Sequence, residues 1–513
     1  MVPIPGYFMK PIFIFIYLVF YFLFISLITW LTTRKSDHES FYLGNKKSPW
    51  PLVAVGMIGT SISGVTFISV TGMVAAQKFS YIQFVLGLTL GYQVISFVLL
   101  PLYYRLQLTS IYTYLDLRFG HKSHKVGSFY FLVARTLGAG ARLFLVVEVL
   151  NDLVFRFLGI PFELTVAVVI FLIFAYTVKG GIKTIVYTDT IQTALMLLAV
   201  VFSLWEIGRL LGHSLPELWN EVSAKGLNQV FTDGTQGFWK NFLSGFFICI
   251  GMTGLDQDLM QKNLSMKSIG DAQKNMVSFS LISFFVNLLF LTFGAFLALF
   301  IAIHGISLTS PDLNYGEVAM HYFSPLGAVL FIIGLVSISF SSSDSALTAL
   351  TTSFCLDILG FKPSDPSKVV SRRWVHFGFC LLSFFLIIFL FKGFKNSVIN
   401  IVYAIGSYTY GPLIGIYAFG LFIKRKVKDS RVPYIAILSA LFIISLNGWV
   451  GYQNILHGIG KTTFSNWNLL KTFDKLGMVY SSGWGNEIII YNAGLTFLGL
   501  LLFSKADKNF VKI

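Results

Sequence analysis

The sequence predicts an all-α polytopic membrane protein, and three observations lead there. Of 513 residues, 55% are hydrophobic and only 12% charged, where a soluble domain carries about a quarter. Apolar stretches such as 11–31 and 279–303 match the roughly 20 residues that cross a bilayer as a helix. The net charge of +15 is not gathered into a patch but scattered over short segments between those stretches. That distribution sets membrane topology and gives no reason to invoke nucleic acid.

Taken in order, thirteen spans are drawn at 8–32, 50–77, 79–104, 126–156, 162–178, 184–211, 238–259, 275–303, 325–358, 374–392, 395–423, 432–452 and 486–504. The first is too long for a signal-peptide core, lacks a small-residue cleavage site and is followed by Arg34 and Lys35. It reads as a retained helix with its N-terminus outside. On that basis the cytoplasmic segments hold 25 of the 38 Lys and Arg, and the external side holds 11. The remaining two, Arg135 and Arg142, fall inside the fourth span. The bias predicts a multi-pass protein of the cell membrane with its C-terminus cytoplasmic.

Segments 212–237 and 453–485 are long enough for short amphipathic helices, and the nine residues after Ser504 are too few for a signalling module. Cys249, Cys355 and Cys380 lie in apolar spans without paired spacing. They read as reduced packing residues, with no disulfide framework and no metal site.

Two spans are unusual in the same way. The second holds Gly56, Gly59, Thr60, Ser61, Ser63, Gly64 and Thr66, and the seventh holds Gly245, Gly251, Thr253, Gly254, Asp256 and Asp258. Such residues weaken a helix, and a half-helix end inside a membrane must find partners for its freed backbone groups. The two lie five spans apart, the interval of a five-plus-five inverted repeat whose halves each begin with a broken helix. Small residues also serve close helix packing, and composition leaves both readings open.

Three motifs in these spans resemble the sodium/solute symporter family, with closest similarity to its sialic acid and proline branches. They are Ser61-Ile-Ser63-Gly-Val-Thr66-Phe67, then Tyr176 through Gln192 around Gly180-Gly181 and Thr188-Asp189, and then Ser339 through Asp357 around Ser341-Ser342-Ser343-Asp344-Ser345. Their order and placement on independently drawn spans carry the resemblance over almost the whole chain. It implies an inverted-repeat transporter core (LeuT-like) with discontinuous first and sixth core helices. The domains follow as an extra helix at 1–33, repeats at 50–212 and 237–423, and peripheral helices at 424–513. The implied activity is sodium-coupled symport of a small polar solute by alternating access.

The resemblance also implies sites. One sodium would take the carbonyls of Gly59, Ile62 and Ile338 and the hydroxyls of Ser341 and Ser342. Membrane serines often bond back to their own helix instead. A second cation or a proton would sit at Asp189, Asp344 and Ser345, with Asp344 standing where a neutral residue is usual. Asp189 as a helix cap near the cytoplasmic surface is the competing reading. The solute would meet Ser61, Ser63 and Thr66, with Gln83 from the next helix and Phe67 and Phe79 as covers.

Arg142 falls near the middle of a span, where reaching either surface is difficult, and its guanidinium fork suits a carboxylate. In the sialic acid branch an arginine at this place holds the substrate carboxylate, so an anionic solute is expected. A structural ion pair or cation–π packing is the alternative, and Arg135 on the same face is a relay or a span end. Met252 or Thr253 stands where sodium/glucose transporters carry an aromatic gate, which weakens a hexose reading without excluding a neutral sugar or amino acid.

Other classes fare worse. Of eight histidines only His376 touches a drawn span, so no pair holds a haem or zinc there and an enzyme is not expected. A cation channel remains the rival, though no selectivity-filter repeat is present. The partners are a small solute, sodium and the lipid bilayer; neither stoichiometry nor oligomeric state is legible.

Overall fold

The computed structural model describes residues 11–33, 38–231, 237–306, 314–391, 398–458 and 485–506. Arg34, Lys35, most of the 453–485 segment and the tail from 507 onward, all used above, lie outside the described residues. The described chain is almost entirely helical, with one two-stranded ribbon, Arg425–Lys426 antiparallel to Lys505–Ala506.

Helix α1 (Pro11–Thr33) illustrates how the bilayer acts as solvent. Ile14, Leu18, Tyr21 and Ile25 are buried, one stripe at helical spacing, whereas Phe20 and Leu23 on other faces are 64% and 61% exposed. An apolar face left open in this way suits lipid rather than water. The broken second span supplies α2 (Trp50–Ser61) and α3 (Thr66–Gln77), which meet at 68°. Next come α4 (Tyr81–Arg105), the short α5 (Thr113–Arg118) and α6 (His121–Leu150).

Helices α7 (Phe162–Val178) and α8 (Gly180–Leu211) are not joined by a loop. They are one helical run bent at Gly181, whose φ is +55° and ψ −155°. A Cβ there would stand 2.4 Å from the Phe41 Cα, so glycine is required for both the torsion and the contact.

The seventh span is also interrupted. Helix α9 (Phe238–Cys249) runs through a wide turn at Ile250–Gly254, Asp256 is extended at φ −107° and ψ 121°, and α10 (Gln257–Leu264) begins. Asp256 Oδ1 caps α10 by accepting the Asp258 amide at 2.8 Å. Then follow α11 (Ile269–His304), α12 (Pro325–Ser353), α13 (Val369–Leu386), α14 (Val398–Phe422), α15 (Val432–Gly458) and α16 (Ile488–Leu502).

Helix α12 lies at the centre, packed on α7–α8, α6 and α2, and all its residues from Leu335 to Ser353 are buried. The breaks are therefore real, and the small residues around them also serve close packing. Both readings of the composition hold at once.

Among the described residues, eight helices are long and apolar enough to cross a bilayer, and the bent α2–α3 pair makes a ninth. Thirteen is not reached by length and composition. Span five is only Phe162–Val178, Ile488–Leu502 is similarly short, and span seven is split at Gly254–Asp256. The expected amphipathic helix in 212–237 exists as Leu215–Ala224, capped reciprocally by Ser214 and Glu217.

Candidate functional site

The amide of Ile62 closes α2 onto the Ile58 carbonyl at 2.7 Å, and Ile62 itself leaves the helix at φ −86° and ψ 89°. The last carbonyls of a helix lack the amides of a following turn, so this end presents oxygen toward its neighbours. Gly59 meets two of them. Its amide donates to Thr193 Oγ1 at 3.1 Å. A Cβ added to it would lie 2.5 Å from that atom and 2.9 Å from Ser341 Oγ.

The break and the serine helix are thus in direct contact. Ser341 Oγ is buried, makes no bond back to its own helix and lies close to the Asp189 carboxyl, while Ser342 Oγ donates back to the Ser339 carbonyl at 3.1 Å. Ile62 and Ile338 are buried at 3% and 0% exposure. The contact thus brings the Ser341 hydroxyl beside the backbone of Gly59 at the end of α2.

Asp189 is fully buried in the middle of α8, which removes the surface-cap reading. Its Oδ2 accepts from Thr60 Oγ1 at 3.1 Å and from Lys262 Nζ at 2.5 Å, and Lys262 also donates to Thr60. Lys262, assigned above to a cytoplasmic segment, is instead 1% exposed. Helix α10, the half-helix after the second break, is buried along its whole length and holds it in the interior.

Asp344 is equally buried but meets a different partner, the Tyr176 hydroxyl, which donates to Oδ2 at 2.9 Å. Ser345 does not join either carboxylate. Its hydroxyl donates to Asp258, which pairs with Arg135, and Arg135 also reaches Asp256 at 3.7 Å. Successive helical residues point roughly 100° apart, and Asp344 and Ser345 accordingly bond to different partners. The expected trio is therefore divided, with Ser345 in the Arg135 network.

A narrow cavity of about 70 Å³, partly open to solvent, lies beside the break. Ser61, Ser63, Thr66 and Arg142 line it, as expected, along with Met252 and Thr253 from the second break. Tyr81, Tyr92, Tyr403, Asn287, Thr60 and Ser283 add polar lining, and Arg135 reaches the same cavity. The Ser61 hydroxyl lies 3.4 Å from that of Tyr92, and Tyr81 and Tyr403 share a hydrogen bond of 3.0 Å.

Gln83 is elsewhere. Its Nε2 donates to the Val230 carbonyl at 2.7 Å and its Oε1 accepts from Asn241 at 2.9 Å, so both ends of the amide are used away from the cavity. Phe67 packs among Phe290, Tyr315 and Phe331, and Phe79 against Trp219. Neither covers the cavity.

Arg142 is partly buried and lines the cavity. Among the described residues it makes no hydrogen bond and no ion pair, and its Nε is buried without a partner. Arg135 contrasts with it, tied down by two aspartates.

Residues 41–429 match the Sodium:solute symporter family. The chain belongs to that family. It is therefore a multi-pass membrane transporter and not an enzyme. This sodium:solute symporter is 23% identical over 456 residues to a sodium/sialic acid symporter of Proteus mirabilis, covering 83% of this chain and 90% of the relative. It is 22% identical to a sodium/sialic acid symporter of Aliivibrio fischeri (81% and 83% covered). A sodium-coupled monocarboxylate transporter 2 of Danio rerio is 23% identical, with 82% and 67% covered.

Among solved structures, the substrate-bound outward-open state of a Na+-coupled sialic acid symporter superposes with a TM-score of 0.76. It is 17% identical and covers 96% of this chain and 99% of that one. The likeness establishes the inverted-repeat fold of the symporter.

Reading the sequence missed Lys262, Tyr176 as a partner of Asp344, Thr193, and the anchoring of Arg135 by Asp256 and Asp258. One signal was present. Lys262 follows Asp256-Gln-Asp258 and Gln261, polar residues directly after a glycine-rich span, as a half-helix lining the interior would be.

Proposed function

We propose that this symporter couples entry of sodium to import of a small organic carboxylate, with Arg142 as the carboxylate's anchor. The observation that carries the reading is Arg142 itself, a guanidinium on the wall of the cavity with no anionic partner among the described residues. A charge taken out of bulk water needs a partner, and the fork of an arginine pairs with a carboxylate through two parallel bonds. Relatives named for sialic acid and for monocarboxylates share an acid group, which supports the same class. Ser61, Ser63 and Thr66 would hydrogen-bond the body of the solute, and Gln83 takes no part.

The first sodium would bind the carbonyls of Gly59, Ile62 and Ile338 and the hydroxyls of Ser341 and Ser342, with Ser341 the freer ligand. A second cation or a proton would sit by Asp189 and Asp344. Lys262 pairs with Asp189, whereas Asp344 meets only the Tyr176 hydroxyl, so the Asp344 carboxyl is the one left for a cation or a proton. One sodium crossing about 100 mV contributes about 2.3 kcal/mol, and a tenfold gradient adds about 1.4 kcal/mol. Together these sustain a several-hundred-fold accumulation of solute.

The topology we propose has thirteen spans, with repeats at 50–212 and 237–423, the N-terminus outside and the C-terminus cytoplasmic. The test is ligand stabilisation of purified protein, with and without sodium, against carboxylates, sugars and amino acids. Carboxylates should raise the melting temperature of the native protein and not of Arg142→Ala, while stabilisation by sodium survives in both. A neutral sugar as the sole stabilising solute would overturn the anionic reading.

A further inference from the structure

At the end of the bundle where α5 turns into α6, away from the cavity, Asp116, His121 and His124 each offer a ligand atom within 4.8 Å of the other two. We propose that these residues form a binding site for a divalent transition metal of the zinc type. His121 and His124 stand three residues apart in the first turn of α6, so their rings share one face. Asp116 approaches from α5, its Oδ1 lying 3.9 Å from His121 Nδ1.

The decisive residue is His124. It is only 9% exposed, its Nε2 lies 2.9 Å from Asp357 Oδ1, and its Nδ1 is buried with no hydrogen-bond partner. A carboxylate only accepts, so Nε2 carries the proton and Nδ1 is left as a buried lone pair. A carboxylate on one ring nitrogen, fixing the tautomer that frees the other, is the usual support of a metal-ligating histidine. Asp357 is itself held by the Ser353 hydroxyl at 2.6 Å, so the ring is oriented from α12.

Two imidazoles and one carboxylate select zinc-like ions over magnesium or calcium, which want oxygen throughout. Tetrahedral coordination at about 2.0–2.2 Å spaces ligand atoms by roughly 3.4 Å. The two exposed side chains, Asp116 and His121, supply that contraction by rotation, and water fills the fourth position.

The positive end of the α6 dipole, which acts within the first turn, opposes a cation here, and so do the exposed Lys122 and Lys125 beside the histidines. Asp429 meets the dipole. Its carboxylate accepts the amides of Lys122 and Ser123, both at 2.9 Å, and the Ser123 hydroxyl at 2.6 Å.

The experiment is equilibrium dialysis of the tag-free, detergent-purified protein against Zn2+, with Co2+ as an optical probe of coordination. The expected result is one ion per chain, an intense visible band for four-coordinate Co2+, and a raised melting temperature. Mg2+ should compete for none of these. His121→Ala and Asp116→Ala, both at exposed positions, should each lower affinity at least tenfold with folding intact, as judged by sodium stabilisation. Asp357→Asn should weaken binding 10–100-fold. Zn2+ uptake below one ion per chain in the native protein overturns the proposal, as does stoichiometric binding that persists unchanged in His121→Ala.

Discussion

Replacing Lys262 by methionine removes an ammonium that is 1% exposed and leaves Asp189, fully buried, without its cation. Removing one partner of a buried ion pair costs about 3–5 kcal/mol, because the other charge remains desolvated. Thr60 donates to Asp189 at 3.1 Å in the native protein already, so that bond offsets none of the loss. The loss in sodium-free buffer should then be about 3–5 kcal/mol.

Sodium changes the sum. The vacated carboxylate is open to a hard cation, and stabilisation by a ligand grows with its concentration over its dissociation constant. Lys262→Met should therefore melt lower than native protein without sodium and recover more of the difference as sodium is raised. Lys262→Met with Asp189→Asn removes both charges, and it should be less damaged than the sum of the single changes and lose the extra sodium response. The assay is a sodium titration of melting temperature for native, single and double variants in the same detergent. Equal sodium responses in native and Lys262→Met would refute the assignment of Lys262 as the internal counter-charge.

Other substitutions separate the neighbouring groups. Ser341→Ala should raise the sodium needed for half-maximal uptake more than Ser342→Ala, since Ser342 already bonds back to Ser339; equal effects would contradict the geometry. Ser345→Ala should leave that sodium dependence unchanged while lowering stability by about 1.5–3 kcal/mol, the loss of a bond to the Asp258 carboxylate. Gln83→Leu should destabilise by about 1–3 kcal/mol, through the partners left at Val230 and Asn241. Uptake measured across solute concentrations should keep its half-saturation point, and a large shift would return Gln83 to the solute site.

The class of the protein and the order of its helices were legible because a bilayer demands long apolar runs, and those survive any ambiguity of detail. The breaks were legible as weakness only. Glycine and serine at 56–66 and 245–254 serve a broken helix and a close contact alike, and the 68° bend is set by what packs around it. Gly59 lies against Ser341, and Ser61 and Arg142 line one cavity; the Ser61 and Ser341 motifs pointed to those neighbourhoods, while Arg142 stood out by its depth within a span.

Lys262 was hidden by its neighbourhood. A cation shortly after a span looks like a topology signal unless the half-helix that returns it to the interior is known. Asp344 and Ser345 were grouped because they are adjacent in sequence, but helical rotation turns them toward α7 and α10 respectively, and no local pattern reports that. Gln83 sits one turn into its helix, and whether it faces the cavity or the 212–237 segment depends on how that segment folds back.

The bend at Gly181 has a practical consequence for mapping this membrane protein. Most pairs of spans are joined by a stretch of chain that tolerates an inserted reporter, but here the corner is a single residue pressed against the Phe41 backbone. Epitope or protease-site insertions between 178 and 183 should abolish folding where insertions at Gly226, beyond the Leu215–Ala224 helix, are accepted. A topology map built from insertions would thus lose one crossing at α7–α8 and report the chain downstream with the wrong sidedness. Single-cysteine labelling, which adds no length, is the method that this corner permits.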